Sequence, residues 1–116
     1  NQDIGSWDVS SMNNMNNMFN NAYSFDYPLC NWEPNTNYIY LPTHWSTDSM
    51  DATIIGWYLN WTSLSQKTIY YGNQYCHSGD TINLLSSQYS WGFYYNNGEN
   101  CSTNTSLDDI ISIAFL

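Results

Sequence analysis

The chain has 116 residues, enough for one small domain, and sets ten acidic residues against a single basic one, Lys67, for a formal net charge of -9. That balance excludes nucleic-acid binding, which needs clustered Lys and Arg, and it repels an anionic membrane surface. Only 9% of residues are charged but 18% are aromatic, with six Trp and eleven Tyr, so the chain does not belong to the disordered class and must bury rings.

At the amino end, NQDIGSW (Asn1–Trp7) returns 25 residues later as DYPLCNW (Asp26–Trp32), with Ile4 falling on Leu29 and Trp7 on Trp32. Periods of this length mark repeat architectures. Within the first unit, Ser6–Met12 alternates and is expected to form a short strand. Asn14–Asn20 carries Met15, Met18 and Phe19 at helical spacing and is expected to be a short helix or tight coil. Met12, Met15 and Met18 occupy repeat positions that face inward, where Met commonly fills irregular cores; thioether ligation of copper(I) is the competing reading.

After Trp32 the pattern decays into a loop at Pro34, Asn35 and Asn37. STDSMDATIIGWYLNW, from Ser46 to Trp61, predicts a helix. Ser46 or Thr47 caps it, Asp48 and Asp51 lie near its positive end, and Met50, Ile54, Trp57 and Trp61 form one apolar face. Lys67–Tyr71 predicts a strand, and Gly79–Tyr89 a second helix capped at Asp80 with Ile82, Leu85 and Tyr89 on one face. Trp91–Tyr95 predicts another strand, ended by the turn pair Asn97-Gly98. In the tail, Ile111, Ile113 and Phe115 alternate with small residues and predict a terminal strand, which needs a partner. No apolar run reaches transmembrane length, so no membrane insertion is expected.

Cys76 and Cys101 each follow a predicted strand. If those strands pair in parallel the sulfurs come together, and a disulfide is the simplest outcome; two buried thiols are the alternative. Cys30 is then unpaired or bridges two chains. Asn60, Asn100 and Asn104 begin glycosylation sequons. His44 and His77 lack metal-ligand spacing, no nucleophile motif or phosphate loop occurs, and no cofactor, metal or catalytic residue is expected. The surplus of Tyr38, Tyr40, Trp45, Tyr58, Tyr70, Tyr71, Tyr94 and Tyr95 suits a carbohydrate platform, a subunit contact, or ordinary amphipathic surface.

NQDIGSWDVSSMNNMNNMFNNAYSF, together with STDSMDATIIGW, GNQYC, LLSSQYSW and NNGENC, resembles the BspA-like leucine-rich repeat surface proteins over nearly Asn1 to Cys101. Cys30 departs from that pattern, standing where the repeat usually has Gly. The resemblance implies an α/β repeat fold: a short leucine-rich-repeat-like solenoid with parallel strands, ended by a small α/β cap. It divides the chain into one and a partial repeat over 1–42, a capping unit over 43–103 and an apolar tail over 104–116. It also implies an extracellular or cell-surface location and a structural or adhesive role without catalysis.

A repeat unit cannot bury its apolar face alone. Ile4, Trp7, Val9, Met12, Met15 and Met18, with Ile111, Ile113 and Phe115 of the tail, are therefore expected at subunit contacts. Self-association follows as an expectation, as a homo-oligomer or a head-to-tail filament. A glycan or matrix ligand is the second partner expected, from a module cut out of a longer adhesin.

Overall fold

The computed structural model describes residues 3–42, 44–70, 74–94, 101 and 105–115. Six elements follow in chain order: β1 (Tyr38–Tyr40), α1 (Thr47–Asn60), β2 (Thr68–Tyr70), α2 (Gly79–Tyr89), β3 (Gly92–Tyr94) and α3 (Leu107–Ala114). The strands form a parallel sheet in the order β1-β2-β3, with Ile39 opposite Ile69 and Ile69 opposite Phe93. Helices α1 and α2 supply the two crossovers that parallel pairing requires.

Before β1 the chain is a succession of turns rather than a strand. The N–H groups of Trp7, Met12, Met18, Ala22, Phe25 and Trp32 each donate to the carbonyl three residues earlier. Asp3, Asp8 and Asn14 fix three of the bends by accepting from the N–H two residues on, and Asn17 and Asn21 take left-handed φ of 65° and 62°. Asparagine and aspartate are the residues that tolerate such geometry, which gives the Asn-rich stretch a backbone purpose.

The expected solenoid does not form. The described chain is a small α/β domain with three helices and a three-stranded parallel sheet, and no stack of repeated units is present. Ile4–Trp7 and Leu29–Trp32 are closed by the same turn, but 25 residues further on Ile54–Trp57 lies inside α1. The periodicity therefore marks two similar turns, and the third position is taken by a helix that packs differently.

Every residue of α1 from Ser49 to Trp57 is buried, because this helix has apolar partners on two sides. Met50, Ile54 and Trp57 join one core with Ile39 and Ile69 of the sheet, Ile82 and Leu85 of α2, and Ile4, Val9 and Met15 of the turns. Ala52 and Ile55 form a second core with Ile110 of α3. Ser46 caps α1, accepting from the Ser49 N–H at 3.2 Å, and is itself held by the Asp26 carboxylate.

That second core corrects the tail. Residues 107–114 form a helix, not an inter-subunit strand: Ser106 caps it through the Asp109 N–H, and Ile110 and Ala114 point inward at helical spacing. A short apolar run satisfies both periods, and the second face of α1 decides between them.

Gly56 is where α1, α3 and the Leu29–Trp32 turn come closest. A Cβ there would stand 2.5 Å from the Cβ of Cys30 and 3.4 Å from that of Ala114. Gly56→Ala gains about 1 kcal/mol of helix propensity but overpacks the junction by about 1–3 kcal/mol. We expect a net loss on urea unfolding in the native background and a neutral or stabilising effect when Cys30 is already Gly.

Candidate functional site

Carboxylates hold much of this chain's loop structure in place. With one cation to pair against ten acids, the side chains turn to N–H and O–H donors. Asp26 accepts from the Ser46 N–H and from the Ser46 and Ser49 hydroxyls, and Asp48 accepts from the Thr105 hydroxyl. The Ser10 hydroxyl and N–H, both donating to Asp8, hold that carboxyl below its ordinary pKa. The most enclosed case is Asp51, fully buried in α1. Its oxygens accept from the N–H groups of Cys76, His77 and Ser78 at 2.9–3.2 Å and from the Ser78 hydroxyl at 2.7 Å. Asp51 thus serves the loop that starts α2, not the positive end of its own helix.

A cavity of about 430 Å³ opens where the Leu29–Trp32 turn, the end of α1 and the start of β2 converge. Glu33 reaches it directly after that turn, and its two oxygens accept from the Thr62 N–H at 3.1 Å and the Thr62 hydroxyl at 2.7 Å. Trp61 is the C-cap of α1, and its indole N–H donates to the Trp32 carbonyl at 2.7 Å, fixing the ring in the cavity's lining. Lys67, just ahead of β2, donates to the Thr36 carbonyl at 3.0 Å and places its ammonium 5.8 Å from the Trp61 ring centre. Burial lowers the Lys67 pKa, and the charge of Glu33 works in the opposite direction. Asn35, Ser63 and Ser65 are exposed at the rim. The wall therefore offers an ammonium, a carboxylate and neutral hydrogen-bonding groups beside an indole.

The tyrosines of the sheet do something different. Tyr40, Tyr70 and Tyr94 project from the face opposite Ile39, Ile69 and Phe93 and stack as a ladder. Ring centres lie 4.8 Å apart for Tyr40–Tyr70 and 5.6 Å for Tyr70–Tyr94, with planes within 25° of parallel. Their faces are spent largely on one another, so the ladder offers ring edges and hydroxyls rather than a flat platform. Trp45 is buried and Tyr58 half-buried, while Tyr38 is exposed; Tyr71 and Tyr95 lie outside the described residues.

Cys76 and Cys101 are joined by a disulfide. Cys30 is buried, with its sulfur 3.7 Å from the Ile113 carbonyl, so the folded chain does not offer it for an intermolecular bridge. Burial pushes its thiol above the ordinary pKa. For a raised pKa the associated stability is complete below the unfolded thiol's value and is lost as pH rises through the folded one. At mildly alkaline pH we expect iodoacetamide to modify Cys30 at least roughly tenfold more slowly in the folded chain than in urea, since only the thiolate reacts.

Of the nine side chains expected at subunit contacts, Ile4, Val9 and Met15 are buried by the chain itself, and Met12, Ile111 and Ile113 are partly covered. Trp7 (52%), Met18 (36%) and Phe115 (59%) remain exposed. Asn60 is exposed, with its amide donating to the Ala114 carbonyl at 3.2 Å; Asn100 and Asn104 lie outside the described residues. His77 bonds the Thr105 carbonyl, and His44 packs edge-on to Tyr23. Among the described residues no three His, Cys, Asp or Glu side chains gather as a metal site, and no helix is long and apolar enough to cross a membrane.

Sequence reasoning set Asp51 at the positive end of its helix rather than under the loop before α2, and did not single out Glu33. The available signal was position: an acid inside the apolar run Met50-Asp51-Ala52-Thr53-Ile54 needs internal donors.

Residues 1–75 match the family model described as "Mycoplasma protein of unknown function, DUF285". No curated protein and no solved structure matches the chain.

Proposed function

This chain belongs to the DUF285 family, and from that premise we propose that it is a non-catalytic module of a secreted, surface-displayed protein with a structural or adhesive role. The single observation that carries the reading is the Cys76–Cys101 disulfide, a bond that persists in oxidising, extracellular settings. Closing a loop with a sequence separation of 25 contributes on the order of 3 kcal/mol, a large share of what a small domain commands. The resemblance of the first 25 residues to the BspA-like surface proteins points the same way. Self-association belongs to this reading, through the exposed Trp7, Met18 and Phe115.

Antibody labelling of intact source cells, combined with non-reducing mass analysis of the native protein, tests the location. Surface labelling with the Cys76–Cys101 bond intact is the expected result. Antigen reached only after permeabilisation, with both thiols free, overturns it. Light scattering of the purified chain tests association: Trp7→Ala with Phe115→Ser is expected to lower the observed mass, and a monomeric native chain removes that part.

A second reading, a carbohydrate- or host-matrix-binding module, is favoured by the cavity between Glu33, Trp61 and Lys67. Within it the ligand is held without being transformed.

A further inference from the structure

We propose that the cavity at the end of α1 binds a neutral saccharide, with Lys67 and Glu33 each addressing a hydroxyl of the same ligand. The proposal rests on the carbohydrate-binding reading and names its site and ligand class. Charge narrows the ligand first. At a net charge of -9 the chain repels anions, and Glu33 adds to this locally. Lys67, the chain's single basic residue, stands on the same wall and opposes a cation. A neutral molecule carrying both donors and acceptors is what remains.

Hydrogen-bonding capacity narrows it further. An ammonium has three donors. Lys67 directs them toward the Thr36 carbonyl at 3.0 Å and, at a long 3.5 Å, toward Asn37 Oδ1, leaving one for a ligand. Each Glu33 oxygen accepts one bond from Thr62 and keeps a lone pair. A polyol satisfies this set of groups, one hydroxyl oxygen accepting from Lys67 and another hydroxyl donating to Glu33. Asn35, Ser63 and Ser65 on the rim can serve further hydroxyls.

The volume, about 430 Å³, lies in the range of small-ligand pockets and suits one or two sugar rings. Trp61, half-buried with the Lys67 ammonium over its ring at 5.8 Å, provides an apolar edge in the lining that a ring's C–H groups can meet. Its backing by Trp57 at 4.9 Å and Trp91 at 5.3 Å keeps it from turning away.

The test is saturation-transfer NMR on the oxidised chain with methyl glycosides of glucose, galactose and mannose, and with lactose, maltose and cellobiose. The glycosides and disaccharides separate a one-ring site from one that takes a chain end. We expect transfer to ring protons of at least one sugar. Asn35→Ala and the pair Ser63→Ala, Ser65→Ala should each weaken binding about fivefold, the scale of one lost hydrogen bond. Tyr38→Ala, on the sheet, should leave it unchanged, and circular dichroism checks that each variant folds. Absence of transfer from every sugar at about 10 mM, well above a millimolar dissociation constant, overturns the proposal. So does binding that survives the rim substitutions and disappears with Tyr38→Ala. Matrix-protein binding without sugar binding also removes the saccharide assignment while leaving the broader binding reading intact.

Discussion

Asp51→Ala is expected to cost about 3–5 kcal/mol of folding free energy, enough to leave a domain of ordinary stability partly unfolded. The substitution does not merely delete a charge. It strands the N–H groups of Cys76, His77 and Ser78 and the Ser78 hydroxyl, all of which donate to this one carboxylate inside the fold. Each buried donor without an acceptor costs about 1–3 kcal/mol, offset in part because the buried carboxylate no longer has to be desolvated. Asp51→Asn should fall between the two, since its amide keeps one acceptor but turns an NH₂ toward the same donors. Urea unfolding of the disulfide-intact protein measures both. A loss under about 1 kcal/mol for the alanine variant would mean that water reaches the loop and meets the donors instead.

The second large effect is expected at Trp57. Its ring is 1% exposed, packs 4.9 Å from Trp61, and donates its indole N–H to the Leu29 carbonyl at 2.8 Å. Trp57→Ala should lose about 3–5 kcal/mol, combining lost transfer free energy with an unfilled cavity. Trp57→Phe keeps most of the volume and isolates the hydrogen bond, so it should lose about 1–2 kcal/mol. The near-UV circular dichroism of the Trp pair should collapse in the alanine variant. An unchanged unfolding midpoint in both variants would place the main stabilisation elsewhere in the core.

The same indole device recurs, which accounts for much of the chain's tryptophan. Trp32 donates to the Ile4 carbonyl at 2.9 Å and Trp61 to the Trp32 carbonyl at 2.7 Å. Each ring both fills the core and closes a turn that has no sheet partner for its carbonyl. Sequence spacing placed these residues inward but could not show whose oxygen each would meet.

What could be read from the chain, and what could not, divides along local and non-local lines. Helix α1 with its Ser46 cap follows from periodicity and capping chemistry that act within a few residues, and the span Gly79–Tyr89 of α2 follows from periodicity. The cap expected at Asp80 does not form: Ser78 is the N-cap, its hydroxyl donates to Asp51 instead of capping, and Asp80 lies in the first turn. Strands β2 and β3 lie inside the spans expected for them, Lys67–Tyr71 and Trp91–Tyr95, while β1 falls in a stretch read only as loop and aromatic surplus. The tail failed because 107–114 fits either period and its outcome depends on Ala52 and Ile55, over 50 positions earlier in the chain. The amino-terminal repeat was a true sequence similarity that did not extend to architecture, since the chain changes backbone conformation before a third turn can form. The cavity was invisible for the same reason: Glu33, Trp61 and Lys67 are scattered along the chain, and only the packing of α1 gathers them.

The position of Lys67 has a consequence for how this chain meets proteases. An enzyme that cuts after basic side chains finds one susceptible bond here, between Lys67 and Thr68. The carbonyl on one side of that bond accepts from Gly92 N–H at 2.9 Å, and the amide on the other donates to the Asn37 carbonyl at 2.7 Å. Both halves of the scissile peptide are woven into the sheet from opposite neighbours. Trypsin digestion of the intact chain is therefore a gauge of how often the strands part, and a tryptic nick would report sheet opening rather than loop exposure.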